Sequence, residues 1–180
     1  MIPDQKQALA LHAKYKSNER VVKHCQACAD ISKRLCGKAA SQGHQVNEKA
    51  AVAGALLHDI GRSQVQLVSH GYVGAQILEK EGVDAVVVEI VRRHVGAGIS
   101  KEEAAALGFP PGEYVPKTIE QKIVCFADKL LDGDKARPFL EEVKRFVRKG
   151  HDVDRLRALK DDVSSAVGVD AETFVLLKTD

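Results

Sequence analysis

Apolar residues recur at helical spacing along most of this chain. Between residues 19 and 40 they return every three or four positions, and residues 118–131 show the same pattern on one broad face. No stretch of useful length alternates as a strand does, and no internal repeat is visible. The pattern therefore predicts an all-α bundle of about eight helices. The predicted helices cover residues 19–40, 48–61, 70–82, 83–93, 101–107, 118–131, 138–149 and 152–166.

Capping residues and helix breakers set the predicted boundaries. Asn47 and Ser69 are predicted N-caps, and Gly61 is predicted to end the helix that starts after Asn47. Thr118 is predicted to begin another helix. Residues 107–117, LGFPPGEYVPK, contain three prolines and predict the longest irregular loop of the chain.

Length and composition indicate one globular domain. The chain has 180 residues, of which 44% are apolar but only 4% aromatic, and Trp is absent. A core of Ala, Val, Leu and Ile favours packed helices. We expect one domain over residues 1–180, with its core at about 19–135 and the C-terminal helices of 136–180 packed on that core.

The charge balance gives no strong prediction of a macromolecular partner. The formal net charge is +2, so the totals do not favour nucleic acid. The basic residues near the C-terminus alternate with acids and predict a solvated face; they are Lys144, Arg145, Arg148, Lys149, Arg155 and Arg157. The sequence has neither a secretory signal pattern nor an apolar run long enough for a membrane span, so we expect a cytoplasmic protein without a membrane partner.

Four cysteines allow two interpretations. Cys25 and Cys28 have CxxC spacing, which occurs in structural zinc sites, but Cys36 and Cys125 stand alone and supply no second pair. The alternative, buried and reduced thiols on helices, requires no further ligand.

The segment ALLHDIG, residues 55–61, carries the most informative polar residues. His58 and Asp59 close a helix that is otherwise apolar, and buried polar groups need partners, so one bound ion could satisfy both. A second His–Asp pair, His151 and Asp152, lies in a polar context. There Asp152 is predicted to act as a helix N-cap.

Further histidines and one aspartate accompany this pair at helices or helix ends. A bundle that turns them inward would present imidazole and carboxylate ligands suited to Fe, Mn, Co, Ni or Zn, for one metal or for two with a bridging carboxylate. His12 and His44 lie in polar contexts and are predicted to be solvated. The ordered series is His24, His58, Asp59, His70, His94 and Asp128.

This series resembles the signature of the HD superfamily of metal-dependent phosphohydrolases. Ile60 and Gly61 after the His–Asp pair are similar to the HDIG subgroup, and His70 with His94 resembles the extra histidine motifs of binuclear members such as the HD-GYP phosphodiesterases. Arg93 replaces an adjacent histidine of HD-GYP proteins, and their glycine-tyrosine-proline element is absent. We therefore do not carry over their cyclic dinucleotide substrate.

The resemblance implies an HD-domain helical bundle and a site with one or two divalent ions, Mg being a further candidate metal. It implies His24, His58, Asp59 and Asp128 as ligands of a first ion, and His70 with His94 as ligands of a second. It also implies hydrolysis of a phosphomonoester or phosphodiester by metal-activated water. The expected substrate is a small phosphorylated molecule of the nucleotide class.

Other residues are candidates for catalysis and substrate binding. Asp59 is the expected bridging ligand, and Arg62, Arg93 and Lys129 are candidate phosphate clamps because their charge could neutralise phosphate oxygens. We also expect Arg62, together with Asp59, to take part in catalysis. Tyr114 could stack on a base, and the 107–117 loop is either a lid or a rigid connector.

The sequence is also compatible with two other functions. Some HD-type proteins use a di-iron centre to activate oxygen, so a redox enzyme is one alternative. A regulatory module that binds metal without turnover is the other. The sequence also leaves open a homo-oligomer.

Overall fold

The computed structural model describes residues 1–177 as ten α-helices, one 3₁₀ turn and a two-stranded hairpin. The prediction of an all-α protein is confirmed. The last three residues of the predicted 136–180 segment lie outside the described residues. The helices are α1 Gln5–Lys14, α2 Glu19–Ser41, α3 Glu48–Leu57, α4 His70–Lys80, α5 Ala85–Arg93, α6 Lys101–Ala106, α7 Ile119–Lys129, α8 Phe139–Lys149, α9 Val153–Val167 and α10 Ala171–Leu176. The 3₁₀ turn is Ile60–Ser63, and strands β1 Leu131–Asp132 and β2 Lys135–Ala136 pair antiparallel.

Helix α3 lies at the centre of the fold and contacts α1, α2, α5 and α7. Seven of its ten residues are buried, and most of these are Ala or Gly. Small side chains allow neighbouring helices to approach closely; a Cβ at Gly54 would lie 2.5 Å from Ile90 Cγ2. This close packing fixes the end of α3, where His58 and Asp59 follow.

The C-terminal helices pack against the same core. Helix α9 contacts α2 and α7, and α10 contacts α2 and α9. One continuous apolar cluster extends from Ala8 to Val175. Arg34 of α2 donates from Nη2 to the carbonyl of Phe174 at 2.8 Å and so holds the end of α10.

Helix caps agree with the sequence at three predicted positions and differ at two. Asp152 caps α9 as predicted, because its side chain accepts from the backbone N–H of Arg155. Asn47 accepts from the backbone N–H of Ala50, and Thr118 forms a capping box with Gln121. Ser69 precedes α4 but makes no side-chain capping bond. The predicted end of α3 at Gly61 is wrong, because the α-helix ends at Leu57 and the chain tightens into the 3₁₀ turn.

The sequence pattern missed α1, α10 and the hairpin, so its total of about eight helices is too low for residues 1–177. Helix α1 buries only Ala8 and His12, and α10 has six residues. The strands have two residues each, too few for a period-two pattern. Among the described residues, no helix has both the length and the apolar character needed to cross a membrane.

Candidate metal centre

The structure brings all six predicted metal ligands together. Each comes from a different helix or helix end, except that His58 and Asp59 are consecutive. His24 lies on α2, His58 is the C-cap of α3, Asp59 follows it, His70 begins α4, His94 is the C-cap of α5, and Asp128 is the penultimate residue of α7.

His24, His58 and Asp128 form one half of the cluster. The Nε2 atoms of His24 and His58 lie 3.1 Å apart. Asp128 Oδ1 lies 2.9 Å from His24 Nε2 and 3.7 Å from His58 Nε2. Distances of this size allow one cation to touch all three side chains.

Asp59 connects this half to a second half made of His70 and His94. Asp59 Oδ1 lies 3.1 Å from His70 Nε2 and 3.4 Å from His94 Nε2, and the two Nε2 atoms are 3.1 Å apart. Asp59 Oδ2 lies 3.8 Å from His58 Nε2. Two sets of three residues could therefore hold an ion. One set is His24, His58 and Asp59, the other is Asp59, His70 and His94, and Asp59 belongs to both.

Hydrogen bonds fix the tautomer of all four imidazoles. A backbone carbonyl can only accept, so an Nδ1 that contacts one must carry the proton, and the Nε2 of a neutral ring is then an unprotonated ligand. The Nδ1–H groups of His24, His58, His70 and His94 donate to the carbonyls of Gly133, Ala55, Leu67 and Val91 at 2.6, 2.8, 2.8 and 2.7 Å.

The resulting arrangement fits bound cations. In each half, two Nε2 lone pairs face each other at 3.1 Å, which is repulsive unless a positive charge lies between them. Asp59 Oδ1 is buried and has no hydrogen-bond partner in the described structure, although such an atom normally has one. A divalent metal would satisfy all of these atoms.

The ionisation of the carboxylates also fits a metal centre. Burial raises the pKa of Asp59, but the interactions with His58, His70 and His94 outweigh burial, so the pKa lies well below its usual value. Burial likewise opposes ionisation of Asp128, and the adjacent Lys129 ammonium outweighs it, so that pKa is also low. Burial lowers the pKa of His94 to about 4, which keeps its ring neutral. Carboxylate and neutral imidazole are the forms that bind metals.

Two predicted phosphate clamps contact the carboxylates of the cluster. Lys129 Nζ lies 2.5 Å from Asp128 Oδ2, and its side chain is 8% exposed. Arg62 Nε donates to Asp59 Oδ2 at 2.6 Å, and its side chain is 31% exposed. The Arg62 and Lys129 side chains thus each contact the Oδ2 atom of one carboxylate, and the Oδ1 atom faces the imidazoles.

The cluster is accessible from one side. Side-chain exposure is 15% for His24 and 16% for Asp128, whereas it is 6% for His70 and 2% for His94. We call the accessible side, formed by His24, Asp128 and Arg62, the open edge. An external molecule would reach the cluster from this edge.

The other two predicted substrate-binding residues, Arg93 and Tyr114, are not brought to the cluster. Arg93 Nη1 donates to the carbonyls of Glu113 and Val115 at 2.7 and 3.1 Å. Tyr114 is 5% exposed and donates to the carbonyl of Pro110 at 3.0 Å. These contacts pin the 107–117 loop to α5. Tyr114 packs in a small apolar cluster with Tyr72, Phe109, Ile99 and Ala104.

Two contributors to the site were missed from the sequence. The prediction that His12 is solvated is wrong: it is 2% exposed, and Nε2 lies 2.7 Å from the carbonyl of Leu56, two residues before His58. His12 lies four residues after Ala8, so both lie on the same face of α1, and this spacing could have predicted its burial. Gly133 contributes a carbonyl, which no side-chain pattern reports. His44 is exposed, as predicted.

All four cysteines are buried and free, as the simpler interpretation predicted. None belongs to the ligand sets found among the described residues. The alternative of a cysteine zinc site is therefore not supported.

Comparison with known proteins identifies the family of this chain. Residues 21–132 match the model of the HD domain, so the chain belongs to the HD domain family and the resemblance inferred from the sequence is confirmed. The HD domain of the phosphodiesterase PgpH from L. monocytogenes has a similar fold, with a TM-score of 0.58 at 16% identity; the match covers 93% of this chain and 95% of that one.

Curated relatives include proteins that are 35–40% identical to this chain. The chain is 40% identical over 174 residues to a tRNA (cytidine(56)-2'-O)-methyltransferase of Thermoplasma volcanium, and 35% identical over 173 residues to one of Picrophilus torridus. These matches cover 96% and 95% of this chain, but the chain spans only 50% and 49% of those enzymes. It is also 40% identical over 152 residues to an uncharacterized protein of Methanocaldococcus jannaschii, covering 82% of this chain and 90% of that protein.

Proposed function

We propose that this protein is a metal-dependent phosphohydrolase that cleaves a phosphomonoester or phosphodiester bond in a nucleotide or a related phosphoester. The observation that supports this proposal most is the position of Asp59, whose carboxylate is shared by two sets of imidazole ligands. Two cations held by one bridging carboxylate are typical of enzymes that displace a phosphate ester in line.

The donor set fits Fe, Mn, Co, Ni or Zn best, and Mg less well because Mg prefers oxygen ligands. His24, His58 and Asp128 would hold one ion, His70 and His94 the other, and Asp59 both. Divalent cations in such a site lower the pKa of water and neutralise charge on phosphate oxygens.

Arg62 is the residue we assign to substrate binding. Only its Nε is used by Asp59, and its Nη groups make no hydrogen bond with the described residues. They are available to donate to a phosphate oxygen at the open edge. The buried Lys129 instead holds Asp128, since its Nζ already contacts that carboxylate.

The test compares two double variants in a screen of phosphomonoesters, nucleotides and dinucleotides with Mn²⁺, Fe²⁺, Co²⁺ and Mg²⁺. His58→Ala with Asp59→Ala is expected to abolish bound metal and hydrolysis together. The matched control, His151→Ala with Asp152→Ala, alters the other His–Asp pair and should retain both. Hydrolysis that persists in the first variant, or oxygen-dependent turnover of a di-iron centre in place of hydrolysis, would refute the proposal.

A second candidate is a role in RNA metabolism. It is supported by the two relatives named as tRNA methyltransferases, which match nearly all of this chain over half of their own length. Under this candidate, the HD domain acts on, or alongside, an RNA substrate. Co-purification of tRNA with the full chain, and its loss after nuclease treatment, would test this role.

A further inference from the structure

Helix α1 buries one polar side chain, that of His12. The buried residues of this helix are Ala8 and His12. Burying a polar group costs free energy unless it is hydrogen-bonded, so an apolar residue would serve packing alone at least as well. His12 also precedes residue 21, where the match to the HD domain begins. The family match therefore gives this histidine no role.

Both ring nitrogens of His12 are hydrogen-bonded. Nε2 lies 2.7 Å from the carbonyl oxygen of Leu56, and because a carbonyl can only accept, Nε2 carries a proton and donates it. Nδ1 lies 2.8 Å from Ser17 Oγ. In the neutral ring Nδ1 is the acceptor, so the Ser17 hydroxyl donates to it. These two bonds fix the ring in one orientation, with Nε2 directed at the end of α3.

The turn after α1 holds Ser17 against His12. The Ser17 N–H donates to the carbonyl of His12 at 2.9 Å. Lys16, which precedes Ser17, has a φ of 54°, the only positive φ of a non-glycine residue within residues 1–177. Residues other than glycine adopt this left-handed region at a cost in free energy. The chain thus accepts an unfavourable backbone conformation at the point where it returns Ser17 to the imidazole.

The carbonyl that His12 contacts belongs to the last turn of α3. The last four carbonyls of an α-helix have no partner inside the helix, and α3 ends at Leu57. The His58 Nδ1–H group donates to one of them, the carbonyl of Ala55, at 2.8 Å. His12 donates to the next one, the carbonyl of Leu56. Two consecutive carbonyls at this helix end are therefore bonded to imidazoles, one from a candidate metal ligand and one from α1.

We propose that His12 is a positioning residue for the metal centre. By holding the Leu56 carbonyl, it fixes the last turn of α3. His58 then keeps its Nδ1–H on the Ala55 carbonyl and its Nε2 toward His24 Nε2, 3.1 Å away. His12 acts through the backbone of α3 and belongs to neither set of candidate ligands. This inference rests on the metal site of the proposed hydrolase.

The test compares two amide side chains at position 12, in a competition titration of Mn²⁺ against a chelator. A Gln side chain extends its amide nitrogen to the position of Nε2, whereas an Asn side chain reaches only the position of Nδ1. We expect His12→Asn to weaken metal binding about tenfold, at the lower end of what the loss of a ligand-orienting partner typically costs. His12→Gln should recover most of this loss, because it can still donate to the Leu56 carbonyl.

A measurement without metal separates this inference from the hydrolase proposal. NMR of the metal-free protein detects the Nδ1–H proton of His58, which exchanges slowly with water because the residue is buried and the proton is hydrogen-bonded. We expect this signal in the parent protein and in His12→Gln, and its loss by faster exchange in His12→Asn. If the parent protein binds no metal, the hydrolase proposal fails, and the His58 signal still tests the role of His12.

Tyr15→Phe is the matched control for a general loosening of α1. It removes the hydrogen bond from Tyr15 to Glu81, 2.6 Å long, and leaves the contact of His12 with α3 in place. This control should keep the metal affinity and the His58 signal of the parent protein. Equal results for the Asn and Gln variants, or an equal loss in Tyr15→Phe and His12→Asn, would overturn the proposal. If His12→Asn does not fold, Ser17→Ala replaces it by removing only the hydroxyl that orients the ring, and an unchanged affinity and signal there would overturn the proposal.

Discussion

Asp59 shows how one residue can connect two candidate metal sites. Its Oδ2 accepts from Arg62, which orients the carboxylate, while its buried Oδ1 is left toward His70 and His94. The preceding residue, His58, points its Nε2 at the other half of the cluster. The dipeptide gains this double role because α3 ends at Leu57, so the two side chains leave the helix in different directions.

Lys129 provides a residue-scale prediction about Asp128. Lys129→Met keeps a similar volume but removes the ammonium that holds Asp128 Oδ2. Partners that orient metal ligands typically change metal affinity by about 10- to 100-fold, so we expect a loss of that size in a competition titration against a chelator. The control is Lys122→Met on the same helix, which breaks only a partly exposed pair with Asp162. Equal metal affinity in the two variants would contradict this role.

The sequence predicted the functional groups of the site that belong to side chains. The six ligands form an ordered series of imidazoles and carboxylates, and the structure brings them together. The carbonyl of Gly133 could not be predicted, because every residue has a backbone carbonyl and a sequence distinguishes residues only by their side chains. The partners of Arg93 are also carbonyls, so its sequence context alone predicted a phosphate clamp instead of a loop anchor.

At the scale of elements, the 3₁₀ turn and α4 are packed so closely that no side chain fits between them. A Cβ at Gly61 would meet the carbonyl oxygen of His70 and lie 2.6 Å from the backbone nitrogen of Gly74. Since both atoms belong to the backbone of α4, neither can move without displacing that helix. The contact sets the distance between Asp59 and His70, which flank it.

This packing yields a stability prediction. Gly61→Ala should lower the free energy of unfolding by about 1–3 kcal/mol, as overpacking commonly does, and lower Tm by roughly 2–4 °C per kcal/mol for a chain of this size. The control is Gly37→Ala in α2, where a Cβ meets nothing within 4 Å; it should raise stability by up to about 1 kcal/mol through helix propensity. Thermal unfolding followed by circular dichroism measures both. An unchanged Tm for Gly61→Ala would show that α4 can shift freely.

Element boundaries were predictable where amphipathicity was strong. The sequence placed α2, α7, α8 and α9 to within about two residues of their ends. Helix α1 was missed because its burial depends on contact with α3 rather than on its own apolar content. The hairpin is held by two paired residues on each side, a tertiary feature with no sequence period.

At the scale of the whole molecule, the helices converge on a candidate metal centre, which is partly exposed at His24 and Asp128 and buried at His70 and His94. The core composition predicted packed helices, and the structure confirms them. The proposed hydrolysis depends on two cations held by the four histidines and two aspartates.

Anomalous diffraction from crystals of the full chain grown with Mn²⁺ tests this claim most directly. We expect two peaks about 3.5–4 Å apart, the spacing of two-metal sites. One peak should lie beside His24, His58 and Asp128, the other beside His70 and His94, and Asp59 should lie between them. A map without a peak inside this cluster, or with metal only at His151 and Asp152, would contradict the account.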